Sequence, residues 1–285
     1  MMNSTKSSLT VQAEITAVIR SAGERTKELC YRLLCDQLTP ENIVIIEEYP
    51  FTSALRKSFQ MGIELDRPWT LCVDADTLLR RKSVLNLLTW ALATESCIFQ
   101  VQCDVFDKLF AVPKKAGVRL YRTSLLPRAI TCIPADGVYQ RPETIVRDKM
   151  TSLGYPSLYK KVTVGLHDFE QYYRDLYRKA FVHAHKHDWE TRYIEPLWQK
   201  LSAWDPDYTV ALRGLRDGRL FKGIVPLDVR FFCRDISSLI DIQGFQEKDP
   251  FASTEDARWD TDRVILQYGQ MRVSTDSKTV AKRQR

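Results

Sequence analysis

Residues 70–84, TLCVDADTLLRRKSV, decide the fold class of this 285-residue chain. The apolar run from Thr70 to Val73 is too short for a helix and predicts a buried strand, while the residues after it show helical apolar spacing. The strand ends at two aspartates one residue apart, Asp74 and Asp76. A strand that leads from a core to two carboxylates predicts a cation at that place.

Two earlier stretches repeat the order of strand, loop and helix. A β-rich run at 15–19 is broken by SAGER (21–25) before a helical apolar pattern, and IVIIEE (43–48) is bounded by prolines and followed by an amphipathic stretch at 52–65. Three successive βα units predict a parallel sheet with right-handed crossovers and helices on both faces. The expected fold class is therefore α/β.

Charged residues fall at the ends of these predicted strands. Ligands of open α/β sheets bind beyond the carboxyl ends of the strands. We therefore expect one rim of the sheet to collect the following side chains: Arg20, Glu47, Glu48, Asp74 and Asp76.

The second half of the chain is less regular. Residues 97–110 are strand-like, and a turn at Gly117 precedes a further strand and a short helix, followed by a loop at 132–143. The stretch YKKVTVGLH predicts a strand that stops at Gly165, with a helix starting at His167 or Asp168. Two helices follow, at 192–204 and 207–218, the second with Asp205 as its N-cap.

Composition limits the classes of protein. Hydrophobic residues make up 44% and charged residues 27% of the chain, and no apolar stretch approaches the roughly 18 residues of a membrane span. The polar N-terminus lacks the apolar segment of a secretory signal, so we expect a cytoplasmic protein. Seven cysteines without a repeated spacing indicate reduced thiols.

The net charge of +6 is mild. It suits a pocket for phosphates or for an anionic acceptor, and no nucleic acid partner is expected. Residues 1–12 and 276–285 are predicted to be flexible ends, and the basic C-terminal end suits peripheral contact with an anionic membrane surface.

The pair Asp74 and Asp76 has a specific chemistry. On an extended backbone both side chains point to one side, where they repel each other unless a cation neutralises them. Oxygen ligands select a hard ion such as Mg²⁺ or Mn²⁺, which retains phosphate oxygens as further ligands. The pattern predicts a metal that bridges the protein to a diphosphate. The alternative is that the two aspartates cap a turn and the next helix.

Residues 14–92 resemble, in order and spacing, the N-terminal half of family-two GT-A glycosyltransferases. The resemblance rests on ITAVIRSAGER, IVIIEE and TLCVDADTLL. It implies a GT-A, Rossmann-like, mostly parallel sheet flanked by helices over residues 13–190, with a helical C-terminal extension over 191–275. It also implies transfer of a sugar from a nucleotide diphosphate donor, of UDP or GDP type, to a hydroxyl of a glycan or another acceptor, with Mn²⁺ or Mg²⁺.

The resemblance also implies roles for residues near the donor. Asp76 would be the direct metal ligand, and Asp74 would lie near the ribose or the metal. A glutamate stands where the family usually has an aspartate that recognises the base or ribose, which is a departure. The remaining donor-binding candidates are Arg20, Ser21, Arg25 and Glu47 or its neighbour Glu48.

A late histidine often completes the metal site in this family, and His167 is the candidate. Its nitrogen would make a mixed shell that suits Mn²⁺ better than Mg²⁺. Asp168 lies where inverting members place the catalytic base, and Asp136 in IPADGVY is the competing base. The alternative for His167 and Asp168 is helix capping.

The stretch HAHKH at 183–187 is a less specific signal. In a helix only its first and last histidines share a face, so zinc binding is not indicated. These histidines, with Lys179 and Lys186, suit the lining of an anionic acceptor site.

Two other functions remain open from the residues alone. A metal-dependent nucleotidyltransferase uses a similar sheet but normally has a glycine-rich phosphate loop, whereas SAGERT has one glycine. A catalytically silent module that binds a nucleotide or glycan is the second alternative, because a fold does not imply activity.

Overall fold

The computed structural model describes residues 12–136, 141–186, 188–223, 225, 244, 246–251 and 260–270. The strands are β1 (Ile15–Ser21), β2 (Ile43–Glu47), β3 (Trp69–Asp74), β4 (Thr77–Leu79), β5 (Gln100–Asp107), β6 (Val112–Lys114), β7 (Val118–Arg122) and β8 (Ser157–His167). The helices are α1 (Lys27–Cys35), α2 (Phe51–Leu65), α3 (Ser83–Leu92), α4 (Leu126–Thr131), α5 (Pro142–Ser152), α6 (Tyr173–Lys186), α7 (Asp188–Leu201) and α8 (Pro206–Leu220). Residues 261–270 are also helical.

The strands form one eight-stranded sheet in the order β2-β1-β3-β7-β5-β8-β4, with β6 paired to β5. The pairings β1 with β2, β1 with β3 and β5 with β8 are parallel. Through the antiparallel β7, strands β3 and β5 also run in the same direction, whereas β4, β6 and β7 run against it. The mostly parallel α/β sheet that the three βα units predicted is confirmed.

Helices cover both faces of this sheet. In β1, Ala17 and Ile19 belong to one apolar core cluster and Val18 to another, because successive side chains of a strand point to opposite faces. The first cluster includes residues of α1 and α3, and the second includes residues of α2 and α4. Strands buried on both sides explain why β1 and β3 are almost continuously apolar.

A helical layer of α6, α7 and α8 packs beyond the end of β5. These helices share an apolar cluster with Leu109 and Phe110, and the indole of Trp198 donates a hydrogen bond to the Leu109 carbonyl at 2.6 Å. Asp205 caps α8 as predicted, since its side chain accepts a hydrogen bond from Asp207 N at 2.9 Å. The boundaries of the two predicted units stay a prediction, and residues 1–11 and 276–285 lie outside the described residues. Of the helices described, none is both long and apolar enough to cross a membrane.

The prediction for the end of β8 was wrong. The strand passes through Gly165 and ends at His167, and α6 begins only at Tyr173, so neither His167 nor Asp168 caps a helix. The reason is a partner strand: Leu78 and Leu79, predicted to start a helix, instead form β4 against β8. A Cβ at residue 165 would lie 2.8 Å from the Leu78 carbonyl oxygen, so glycine permits this close pairing.

Candidate active site

The strands that run in the common direction end in polar residues at one edge of the sheet. The register pairs Arg20 with Asp74 and Asp107 with His167 across neighbouring parallel strands. The terminal residues of these strands are Ser21, Glu47, Asp74, Asp107 and His167. The sequence located the ends of β1, β2 and β3 to within one residue, whereas it did not identify Asp107.

The first aspartate of the pair is engaged by an arginine. Arg20, only 4% exposed, donates from Nε to Asp74 Oδ1 at 2.8 Å and from Nη1 to Glu143 Oε1 at 2.6 Å. Glu143 lies on α5 and also contacts Arg119. This buried network of two acids and two arginines leaves each charge paired, as burial requires.

The second aspartate belongs to a different cluster. Ligand atoms of Asp76, His167 and Asp168 lie within 4.8 Å of one another. His167 Nε2 is 3.5 Å from Asp76 Oδ1, and its Nδ1 is 3.2 Å from Asp168 Oδ2. The structure therefore directs Asp74 and Asp76 to different partners, and the cluster that could hold a metal contains Asp76 but not Asp74.

Local backbone structure assembles this cluster. Thr77 pairs with His167 across β4 and β8, and Asp168 N donates to the Asp76 carbonyl at 3.2 Å. Gly117, with φ of +67°, accepts a hydrogen bond from Asp74 N at 2.8 Å. A Cβ there would collide with Thr77 and lie 3.2 Å from His167 Cδ2. The predicted turn at Gly117 thus lies directly against the site.

The donor set fits a divalent ion. Two carboxylates and one imidazole make the mixed oxygen and nitrogen shell that suits Mn²⁺. Asp76 is only 6% exposed, and its Oδ1 accepts no hydrogen bond from the residues that the structure describes. A buried carboxylate oxygen without a donor costs free energy unless a cation binds it. The residues present therefore fit a divalent ion, with Asp168 in the place that the sequence had assigned to Asp74.

Charges within the cluster shift the pKa values of its side chains. Burial favours the neutral acid, but Lys179 and His167 outweigh it and hold the pKa of Asp76 well below its usual range. Burial lowers the pKa of His167, while the carboxylates of Asp168 and Asp76 more than offset this and raise it to about 10. Ligation needs the neutral imidazole, so a proton and a metal compete for His167.

The ammonium of Lys179, on α6, lies in this cluster. Its Nζ is 2.6 Å from Asp76 Oδ2 and also contacts Asp168 Oδ1. The role in an anionic acceptor site that we expected for Lys179 and the histidines stays a prediction. His183 packs its ring 5.0 Å from that of Phe110, while His187 and the side chain of Lys186 lie outside the described residues.

The other predicted site residues have ordinary partners. Ser21 Oγ donates to Glu24 Oε2 at 3.1 Å and accepts from Gly23 N at 3.1 Å, which orders the loop after β1. Arg25 donates to the Asp249 carbonyl at 2.7 Å and to Glu170 Oε2 at 3.0 Å.

The predicted residues after β2, and the competing base, lie at the surface. Glu47 forms an exposed ion pair with Lys27 at 3.0 Å, and Glu48 is exposed. Asp136 is exposed and accepts a hydrogen bond from Thr52 at the start of α2. Their roles in binding or catalysis stay predictions.

Sequence reasoning missed several residues that the structure brings to this edge. Asp107 ends the strand-like stretch CDVFD. It follows a buried apolar run, as Asp74 does, so the same pattern could have identified it. Glu143 and Lys179 lie on helices that return to the edge over a long sequence separation, so no local pattern marks them.

Glu24 is a further missed carboxylate, within the loop after β1. Its Oε2 accepts from Ala22 N at 2.6 Å. Burial, and then the nearby Asp76 carboxylate, raise the pKa of Glu24 to about 7. A carboxyl group with this pKa exchanges protons near neutral pH.

Comparison with known proteins found neither a protein-family model nor a curated protein that matches the chain. The chain is similar to solved structures. One is a mannosyltransferase from Pyrobaculum calidifontis in complex with GDP-Man and Mn²⁺, at 13% identity, with 91% of this chain and 86% of that chain covered and a TM-score of 0.41.

Two further likenesses cover about half of this chain. A glycosyltransferase involved in the glycosylation of the major capsid of PBCV-1 shows 16% identity over 53% of this chain and 82% of that chain, with a TM-score of 0.37. A cytidylyltransferase from Leptospira borgpetersenii shows 10% identity over 53% and 76%, with a TM-score of 0.36. Glycosyltransferases, which the sequence resemblance predicted, are thus among the structures this chain is similar to.

Proposed function

We propose that this chain is a glycosyltransferase that moves a sugar from a nucleotide diphosphate donor to a hydroxyl acceptor. The observation that carries the proposal is the cluster of Asp76, His167 and Asp168 at the carboxyl edge of the sheet. Substrates of open α/β sheets bind at this edge. A diphosphate bound there would meet both the metal-binding side chains and the loop ordered by Ser21 and Glu24.

Asp76, His167 and Asp168 would hold a divalent ion, with Mn²⁺ favoured by the nitrogen ligand. When bound, such an ion supplies positive charge that stabilises a departing diphosphate. The surrounding chain adds Lys179, whose side chain is 18% exposed and lies on the face of α6 that meets the cluster. Positive charge on this face suits the phosphates of a UDP or GDP type donor.

Transfer to a hydroxyl requires that its proton be taken up. Asp168 has both oxygens near cationic groups, Oδ1 at Lys179 and Oδ2 at His167, so it acts either as a ligand or as a base released from these contacts. Asp136, which is exposed and contacts Thr52 at the start of α2, is the other candidate for the catalytic base. Comparison of Asp168→Asn with Asp136→Asn separates the roles, because loss of turnover with retained Mn²⁺ binding identifies the base.

The first experiment is a thermal-shift panel of UDP, GDP, CDP and dTDP sugars, each with and without Mn²⁺. A ligand that binds only the native state raises its melting temperature. We expect one nucleotide to stabilise the protein in a Mn²⁺-dependent manner and Asp76→Asn to lose this effect. Asp148→Asn, an exposed aspartate on α5, is the matched control and should respond like the wild type.

Product analysis then separates the three functions. Release of a nucleoside diphosphate from the stabilising donor supports a glycosyltransferase. Release of pyrophosphate from a nucleoside triphosphate would instead assign a nucleotidyltransferase. Tight binding without turnover of any donor, over a panel of glycan hydroxyls including anionic ones, would assign a silent binding module. No shift with any donor would overturn the donor site itself.

A further inference from the structure

The ammonium of Lys179 lies between the two carboxylates of the proposed metal site. Its Nζ is 2.6 Å from Asp76 Oδ2 and contacts Asp168 Oδ1. Within the described residues, these are the contacts that its ammonium makes. The lysine comes from α6, which returns across the edge of the sheet more than a hundred residues after Asp76 in the chain.

Charge explains why an ammonium lies there. Asp76 and Asp168 are 6% and 4% exposed, and two buried carboxylates this close repel each other strongly. An ammonium between them neutralises this repulsion and supplies hydrogen-bond donors. With a carboxylate on either side, the ammonium keeps its charge although its side chain is only 18% exposed.

The same two carboxylates cannot serve the ammonium and a divalent ion together. Like charges a few ångströms apart repel each other strongly in a partly buried site. A metal bound between Asp76 and Asp168 would also take the oxygens to which Lys179 donates. One cation must leave when the other enters.

We propose that Lys179 is a tethered competitor of the divalent ion, which binds Asp76 and Asp168 only when it displaces the lysine ammonium. The inference rests on the proposed function in one respect, that these carboxylates hold the metal. Lysine suits the task because its charge sits on a flexible four-carbon stem, which can swing out without moving the helix. The competition lowers the metal affinity of the site.

The test measures Mn²⁺ binding alone, without donor or acceptor, from the electron paramagnetic resonance signal of free Mn²⁺. Lys179→Met keeps the stem and removes the charge, and we expect it to bind Mn²⁺ at least about tenfold more tightly than the wild type. Lys179→Arg should remain close to the wild type. Lys161→Met, an exposed lysine on β8, is the matched control and should not change the affinity. Asp76→Asn should abolish binding in every background.

A second measurement uses the unmodified protein and so does not depend on the folding of a variant. A displaced Lys179 amine becomes accessible, so acylation of Lys179 by a water-soluble amine reagent, followed by mass spectrometry, should speed up at saturating Mn²⁺. Lys161 is the internal reference, and its rate should not change.

The outcomes separate this inference from the proposed function. Equal or weaker Mn²⁺ binding by a folded Lys179→Met, or acylation of Lys179 that Mn²⁺ leaves unchanged, overturns the competition while the metal site stands. Absence of Mn²⁺ binding by the wild type and by Lys179→Met overturns the metal site and the competition together.

Discussion

Arg20, which is buried, and Asp74, which is partly buried, form an ion pair across neighbouring parallel strands, with Arg20 Nη2 2.7 Å from Asp74 Oδ1. Glu143 binds the same guanidinium through Nη1 at 2.6 Å. The edge of the sheet at which we propose that the donor binds thus contains a network of paired charges. These contacts determine which way the side chain of Asp74 points.

Removal of Arg20 should therefore destabilise the fold. Arg20→Met leaves Glu143, whose side chain is 10% exposed, and the partly buried Asp74 with fewer positive partners, and we expect a loss of about 3 kcal/mol in the free energy of unfolding. Urea denaturation followed by circular dichroism measures it. Lys27→Met breaks the exposed pair with Glu47 and should cost no more than about 1 kcal/mol. Similar losses in the two variants would show that the Arg20 network does not stabilise the fold.

A second buried cation attaches the helical layer to the sheet. Lys108, 2% exposed, lies 2.8 Å from Asp205 Oδ2 and also binds Asp207, at the start of α8. Lys108→Met should cost about 3 kcal/mol, because the partly buried Asp205 loses this partner and the buried Asp207 retains only Lys248. The double variant with Asp207→Asn should lose less than the sum of the single losses.

The control for Lys108 is Lys115→Met, an exposed lysine whose ammonium lies over the ring of Tyr159 at 3.7 Å. An exposed cation–π contact contributes about 0.5–1 kcal/mol. Strictly additive losses for Lys108 and Asp207 would mean that the two residues do not act as a pair.

Gly117 should be more sensitive to alanine than another glycine with positive φ. Gly117→Ala adds a Cβ that collides with Thr77, in addition to the strain of φ at +67°, and we expect a loss of at least about 2 kcal/mol and weaker Mn²⁺ binding. Gly23→Ala, at φ of +88° with no atom within 4 Å of the new Cβ, should cost about 1 kcal/mol. Denaturant midpoints compare the two. Equal losses of stability in the two variants would mean that the positive φ, and not the collision with Thr77, accounts for the cost at Gly117.

Glu24 should make stability depend on pH in a defined window. Its pKa is raised from 4.5 to about 7 in the folded protein, so the folded state binds the proton more tightly than the unfolded state. The ionisation of Glu24 therefore lowers the free energy of unfolding. This loss is absent below about pH 4.5, grows as the pH rises to about 7 and is constant above that. Glu24→Gln removes this loss and retains an acceptor for Ala22 N and Ser21 Oγ.

The variant should therefore gain up to about 3 kcal/mol relative to the wild type at pH 8 and nothing at pH 4.5. Melting temperatures measured in a chelator, across pH 4.5 to 8, give this difference. Asp148→Asn, which removes an exposed carboxylate of α5, is the control for the loss of one negative charge. A gain that is the same at both ends of the range would exclude titration of Glu24 as its source.

Much of the fold follows from local sequence patterns. The apolar runs of β1, β2 and β3, the amphipathic helices between them and the cap at Asp205 all appear where the residues predicted them. The cluster of Asp76 with His167 was also expected, although for His167 the expectation came from the family resemblance. Such features depend on neighbours within a few residues, and sequence alone can therefore show them.

The end of β8 and the partners of the two aspartates depended on contacts that are distant in sequence. Gly165 looked like a strand end because a glycine at a turn and a glycine under a neighbouring strand give the same local pattern. Pairing of Thr77–Leu79 with β8 carried the strand on to His167. Long-range strand pairing overrides local propensity, so no window of residues could have predicted it.

The sequence by itself determined that this protein is an α/β fold whose parallel strands end in charged residues at one edge. Only the tertiary structure decided which of those charges meet: Asp74 with Arg20 and Glu143, and Asp76 with His167, Asp168 and Lys179. The physical reason is that buried charges must be paired, and the paired groups are brought by elements far apart in the chain. The alternation of side chains along a strand determines which face of the sheet each of them occupies. The packing of α5, α6 and β8 against the edge determines which charged groups they meet there.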